Sequence, residues 1–177
     1  MRLLLPALLL LTACADTQIR YPIGGEPQSN CNRGNPRPML SKKNPDILQT
    51  YFKPMTKSRS REVAHMRSRV KLSVYQLRCE RVETHFVFDL PRPPRRLDHK
   101  NSWYRRAAML MDAIAEGSPA AAGIREMASR LRAAASASAP VFGTPLEMGE
   151  FQRLSLQVGE NLKGTRTLVE IRYSLKI

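Results

Sequence analysis

This chain is short of the residues that catalysis draws on. Its 177 residues hold three histidines, three cysteines and one tryptophan, and only 6% are aromatic. His65, His85 and His99 stand too far apart in sequence to form a local ligand set, so neither a metal site nor a metal cofactor is expected. There is no Gly-rich phosphate loop with its lysine, no Gly-x-Ser-x-Gly elbow and no His-Glu-x-x-His helix. Glu80 and Glu83 are the nearest thing to paired acid/base carboxylates, but they read as a charged, solvated turn between strands. His85 reads as an outward strand residue. The expectation is a protein that is not an enzyme. Acidic residues are scarce as well, 15 against 29 basic ones, for a net charge of +14. Long apolar runs are also missing. The leading one, Leu3 to Leu11, is broken by Pro6, and a bilayer crossing takes about 20 residues.

What is present begins at the N-terminus. Met1-Arg2 supplies a positive charge, Leu3 to Leu11 an apolar core, and Leu11-Thr12-Ala13-Cys14 follows without a gap. A positive start, a short apolar core and small residues before a cut form an export signal. The run of a large aliphatic residue, two small residues and a cysteine resembles the lipobox of bacterial lipoproteins. The resemblance covers only the first fourteen residues. It implies a signal peptide over 1–13 and a mature N-terminus at Cys14, acylated on its thiol and amine by palmitate-type chains. Two or more chains hold a protein stably on a membrane. In this family's sorting rule, aspartate directly after the cysteine favours the inner membrane. Here Ala15 takes that place and Asp16 follows, which implies the periplasmic face of the outer membrane. An ordinary secreted protein, cut without acylation, is the competing reading.

Loss of the leader removes only Arg2, leaving 28 basic against 15 acidic residues. Such a basic protein would ordinarily suggest nucleic acid. Export argues against that and leaves anionic lipid headgroups, lipopolysaccharide phosphates, peptidoglycan carboxylates or an acidic protein. The charge is concentrated in two stretches. Lys53, Lys57, Arg59, Arg61, Arg67, Arg69 and Lys71 are opposed there only by Glu62, and Arg92, Arg95, Arg96, Lys100, Arg105 and Arg106 only by Asp98. Arg59, Arg61, Arg67, Arg69, Lys71, Arg95, Arg96, Arg105 and Arg106 are the candidate polyanion contacts. Solvated loops remain the plain alternative, and sequence does not place the two stretches on one face.

With Cys14 taken by lipid, Cys31 and Cys79 remain as a disulfide pair for an oxidising compartment. Two free thiols or a bond to another chain are the alternatives. The internal bridge would close a loop of about 49 residues, worth roughly 4 kcal/mol at most, and would fasten an N-terminal arm to the domain.

Along the chain, 14–66 reads as a Pro/Gly-rich basic tether and arm without sustained periodicity. The folded domain is expected over 67–177. Val70, Leu72 and Val74 alternate as a strand, then the phase changes to Tyr75, Leu77 and Cys79, predicting a bulge near Val74-Tyr75. Phe86, Phe88 and Leu90 mark a second strand, ended by prolines. Trp103, Ala107, Leu110, Met111 and Ile114 share one helical face, with Asn101 or Ser102 as the cap. Ser118-Pro119 opens a second helix that buries Ile124, Met127, Ala128 and Leu131. Leu154, Leu156 and Val158, then Val169, Ile171, Tyr173 and Leu175, make a closing hairpin. The expected fold is α+β: a small antiparallel sheet of two hairpins with a central helical pair on one face, preceded by a flexible tether.

Together these readings describe a lipid-anchored envelope lipoprotein. It would be a non-enzymatic structural or assembly subunit of an apparatus such as a secretion or conjugation system, with an envelope protein as partner. A free-standing periplasmic binder of peptidoglycan or lipopolysaccharide is the alternative.

Overall fold

The computed structural model describes residues 35–91, 99–136, 141–161 and 163–176. Among them the chain runs β1 (Ile47–Pro54), β2 (Arg59–Met66), β3 (Lys71–Arg78), β4 (Arg81–Pro91), α1 (Lys100–Ala115), α2 (Ala121–Ser136), β5 (Leu146–Gly149), β6 (Gln152–Glu160) and β7 (Arg166–Lys176). The strands form one antiparallel seven-stranded sheet in the order β1-β2-β3-β4-β7-β6-β5. β1 to β4 meander outward in sequence. The helical pair then carries the chain across to the far edge, and β5, β6 and β7 meander back until β7 lies beside β4.

The alternation expected of β4, β6 and β7 is what builds the core. Phe86, Phe88, Leu154, Leu156, Val169 and Ile171 are fully buried and form one cluster with Tyr104, Ala107, Met111 and Ile114 of α1 and Ile124 and Leu131 of α2. Both helices therefore cover the same face of the sheet. Helix α2 begins at Ala121, two residues after the expected start at Pro119, and Ser118 holds the turn that leads into it: its Oγ accepts the Ala120 N–H at 3.0 Å and donates to the Met39 carbonyl. Gly117, just before it, has φ +66°, and a Cβ there would lie 3.1 Å from the Ser41 hydroxyl. Only glycine suits that turn.

The sheet is larger than two hairpins. β1 and β2 fall inside the stretch expected to be tether, and β5 adds a third strand on the far side. β2 carries no apolar alternation because its helix-side positions are Ser60, Glu62, Ala64 and Met66, all buried. The Glu62 carboxylate there is satisfied by the main chain of residues 39–40, which lies against it, while the Ser60 hydroxyl has no hydrogen-bond partner among the described residues, and this is a tertiary arrangement that no period in the sequence reports. The bulge expected near Val74-Tyr75 is absent. β3 keeps an unbroken register with both neighbours from Lys71 to Leu77, because Gln76 continues the buried side and donates through Nε2 to the Arg37 carbonyl at 2.8 Å. The apolar Tyr75 and Leu77 simply belong to the other face. Helix α1 starts a residue or two earlier than expected, with His99 at the N-cap position and no side-chain cap, so Asn101 and Ser102 sit inside its first turn.

The segment before β1 locks the two layers together. Glu62 accepts the Met39 N–H at 2.8 Å and the Leu40 N–H at 3.3 Å. Asn44 donates through Nδ2 to the Ala113 and Glu116 carbonyls at 2.7 and 3.0 Å, satisfying the open C-terminus of α1. Leu40 is itself part of the core.

Candidate functional site

A groove of about 610 Å³ opens at one end of the domain, between the β2–β3 turn, the end of β4 and α1. Its lining is built from three local arrangements. The β2–β3 turn is tight: the Met66 N–H donates to the Val70 carbonyl at 2.9 Å, and the Arg69 N–H to the Met66 carbonyl at 3.1 Å. Arg69 closes it in the left-handed region, φ +59°, which costs a non-glycine residue roughly 1–2 kcal/mol. That turn presents Met66, Ser68 and Val70 to the groove, and β4 ends beside it with Leu90 and Pro91. The opposite wall is a stripe of α1 made by Ser102, Arg105, Arg106, Met109, Leu110 and Ala113, at the three- and four-residue spacing that puts side chains on one helical face.

The floor is apolar and the rim cationic. Met66, Val70 and Leu90 are buried, while Met109 at the mouth is 69% exposed. Arg106 lies 5.8 Å from the Trp103 ring centroid, and Arg105 is exposed. No carboxylate pairs with either among the described residues. The one acid among the described residues of the lining, Asp46, sits on the arm, where its carbonyl accepts the Arg67 N–H at 2.9 Å. Small-molecule sites in proteins are of this size and this mixture of apolar lining with a few placed polar groups.

The structure thus brings the two basic stretches together in part. Arg67, whose Nε donates to the Pro45 carbonyl at 2.7 Å, Arg69 and Lys71 stand at the same end as Arg105 and Arg106. Arg59 and Arg61 do not join them. Arg59 opens β2 at its other end, about 23 Å away at 3.3 Å per residue, and Arg61 lies 5.4 Å from the Tyr75 ring centroid on the face away from the helices. Arg95, Arg96, Cys14 and Cys31 lie outside the described residues. Cys79 follows directly after β3, buried, and is disulfide-bonded.

The face away from the helices holds a second cluster that the sequence reading missed. His85 is not a solvated strand residue; it is 4% exposed. Its Nδ1 lies 2.8 Å from Glu170 Oε1 and its Nε2 3.5 Å from Glu83 Oε2. Arg172 donates to Glu170 at 3.3 Å and Arg81 to Glu83 at 3.1 Å. Glu83 is therefore a β4 residue and not part of a solvated turn. Burial, the largest influence, pushes the His85 pKa down, but the bonds to Glu170 and Glu83 outweigh it and raise the net value. The bond from His85 holds the Glu83 carboxyl down at about 2. A carboxylate on each ring nitrogen favours the imidazolium, so the cluster is an alternating chain of charges from Arg81 through Glu83, His85 and Glu170 to Arg172. The signals for it were Glu83-x-His85 and Glu170-x-Arg172, opposite charges two apart on a strand. Only the β4–β7 pairing, which sets His85 against Arg172, brings the two pairs together.

Compared with known protein families, curated proteins and solved structures, the chain matches none.

Proposed function

We propose that this chain is a lipid-anchored envelope protein, acylated at Cys14 and held at the periplasmic face of the outer membrane. There it serves as a non-enzymatic assembly or structural subunit of an envelope apparatus, such as a secretion or conjugation system. One observation supports the reading: the described arm begins near Gln76, at the end of the sheet remote from the groove. The arm passes Gln76 at Arg37 and reaches the β2–β3 turn at Asp46. It thus enters about 20 Å from the groove along β3, taken at 3.3 Å per residue. Only about twenty residues separate Cys14 from the described arm, a reach of at most ~70 Å even fully extended. An adaptor needs this polarity, one end tethered and one end free to bind.

The same direction of travel supports a Cys31–Cys79 bridge. Followed backwards from Leu40 to Arg37, the arm moves along β3 from the Val74 level, opposite Glu62, to the Gln76 level and on toward Cys79. Cys31 lies six residues before Arg37, within covalent reach. The bridge would hold the arm against the sheet upstream of Glu62.

A second reading, a free-standing binder of peptidoglycan or lipopolysaccharide, draws on the gathering of Arg67, Arg69, Lys71, Arg105 and Arg106 at the groove end. Crosslinking in cells followed by mass spectrometry separates the two. Discrete protein neighbours favour the subunit; sacculus or lipopolysaccharide alone favours the binder. The anchor has its own test. Cys14→Ser is expected to abolish incorporation of an acyl-chain probe and release the protein from the membrane fraction, and a wild-type protein that takes up no label would sink the proposal.

A further inference from the structure

We propose that the groove binds a free, single-chain anionic amphiphile, a medium-length alkyl chain ending in a carboxylate or phosphate. The chain would lie along Met66, Val70, Leu90 and Leu110 and the anion between Arg105 and Arg106. This goes beyond anchoring and assembly, and it depends on neither acylation at Cys14 nor any partner protein.

Both halves of the ligand answer to features of the groove. Apolar floor and exposed Met109 at the mouth form a continuous strip, so each methylene laid there leaves water. The α1 stripe from Ser102 to Ala113 is about 17 Å long at 1.5 Å per residue, a length suited to one extended chain. At the N-terminal part of that stripe stand two guanidiniums without carboxylate partners among the described residues. Arg106 is oriented by the Trp103 ring, which leaves its N–H groups to donate. A planar fork of donors beside a dry surface is a carboxylate or phosphate site. Asp46, the one acid among the described residues of the lining, disfavours a second anion along the groove and so favours a ligand charged at one end only.

The size of the groove selects a free amphiphile over a bilayer. A cleft of about 610 Å³ between the β2–β3 turn, the end of β4 and α1 is of the size that encloses one small ligand, not the face of a membrane. An amphipathic acidic peptide would satisfy similar chemistry, but its several side chains would need a longer trough than one helix stripe.

The test is photolabelling of the full-length acylated protein in neutral phosphatidylcholine vesicles. The probes are a diazirine-bearing dodecanoate, the matching uncharged dodecanol, and a diazirine phospholipid placed in the bilayer. Dodecanoate is expected to label peptides spanning 66–70 and 102–113, saturably and in competition with unlabelled dodecanoate. Arg105→Gln with Arg106→Gln should reduce that labelling roughly tenfold or more, since charge-assisted bonds of this kind are lost. Met109→Glu, at an exposed position, should weaken it without unfolding the chain. Lys163→Gln, a charge removed elsewhere, should change nothing. The proposal is overturned if labelling is spread over the surface, if dodecanol labels the groove equally, if the phospholipid labels it better than the free acid, or if only an acidic amphipathic peptide competes. Circular dichroism of each variant separates lost binding from lost fold.

Discussion

Glu62→Ala is expected to destabilise the domain by about 3 kcal/mol and to release residues 37–41 from the sheet. The carboxylate is 1% exposed and accepts from Met39 N at 2.8 Å, Leu40 N at 3.3 Å and Thr50 Oγ1 at 3.3 Å. Truncation leaves two main-chain donors without partners, Leu40 N buried and Met39 N part-buried, at about 1–3 kcal/mol for a fully buried one, and a cavity beside Leu40 as well. Burial is the largest influence on this carboxyl and raises its pKa above 4.5, against the three donors that lower it. A raised folded-state value means that the stabilising contribution is complete below 4.5 and is lost as pH rises through the folded value. Glu62→Gln should therefore cost less than the alanine change and remove this pH dependence. Urea unfolding together with hydrogen exchange at the Met39 and Leu40 amides checks both points. An alanine variant within about 0.5 kcal/mol of wild type, with those amides still protected, would show that the arm is held by something else.

The second large effect belongs to His85. His85→Leu should cost about 3 kcal/mol, the lower part of the range for breaking a buried ion pair, because Glu170, with its side chain 3% exposed, keeps only Arg172. The pH profile should change in a specified way. Glu83, held at about 2 mainly by the His85 bond, contributes stability that is present above 4.5 and lost as pH falls toward 2. His85, raised above 6.5, contributes stability that is complete below 6.5 and lost as pH rises through its folded value. The wild type should be most stable between these limits, apart from the Glu62 contribution, which is lost as pH rises through that group's own folded value. In the leucine variant the alkaline decline should disappear. Unfolding midpoints at pH 3, 5.5 and 8 decide it: a variant curve running parallel to wild type across all three would mean that His85 is neutral in the folded protein.

Strongly alternating strands were legible because one face of each is apolar and packed under the helices. Phe86-x-Phe88-x-Leu90, Leu154-x-Leu156 and Val169-x-Ile171 carry a two-residue period, and the faces of α1 and α2 carry theirs. β1 and β2 were not legible. β1 buries only Ile47, and the buried positions of β2 include Ser60 and Glu62; a carboxylate such as Glu62 is tolerable there only once a partner from elsewhere satisfies it. That partner, the main chain of residues 39–40, is over twenty positions away in sequence. The phase change in β3 misled for the same reason: Gln76 occupies a core position under cover of a hydrogen bond to Arg37.

The groove was legible only as its separate parts. Arg105 and Arg106 were evident as charges and Met66 and Val70 as apolar residues, but none of them was a site until β3 and β4 set the turn against α1. By itself the sequence determined the Leu11-Thr12-Ala13-Cys14 motif, the surplus of positive charge, the helical pair and the central hairpins, since each is written in neighbouring residues or in a local period. Only the tertiary structure decided the seven-stranded order, the fastening of the arm by Glu62, the His85 cluster and the groove. Each of these depends on which distant strands pair, and pairing is settled by burial and polar satisfaction over the whole domain.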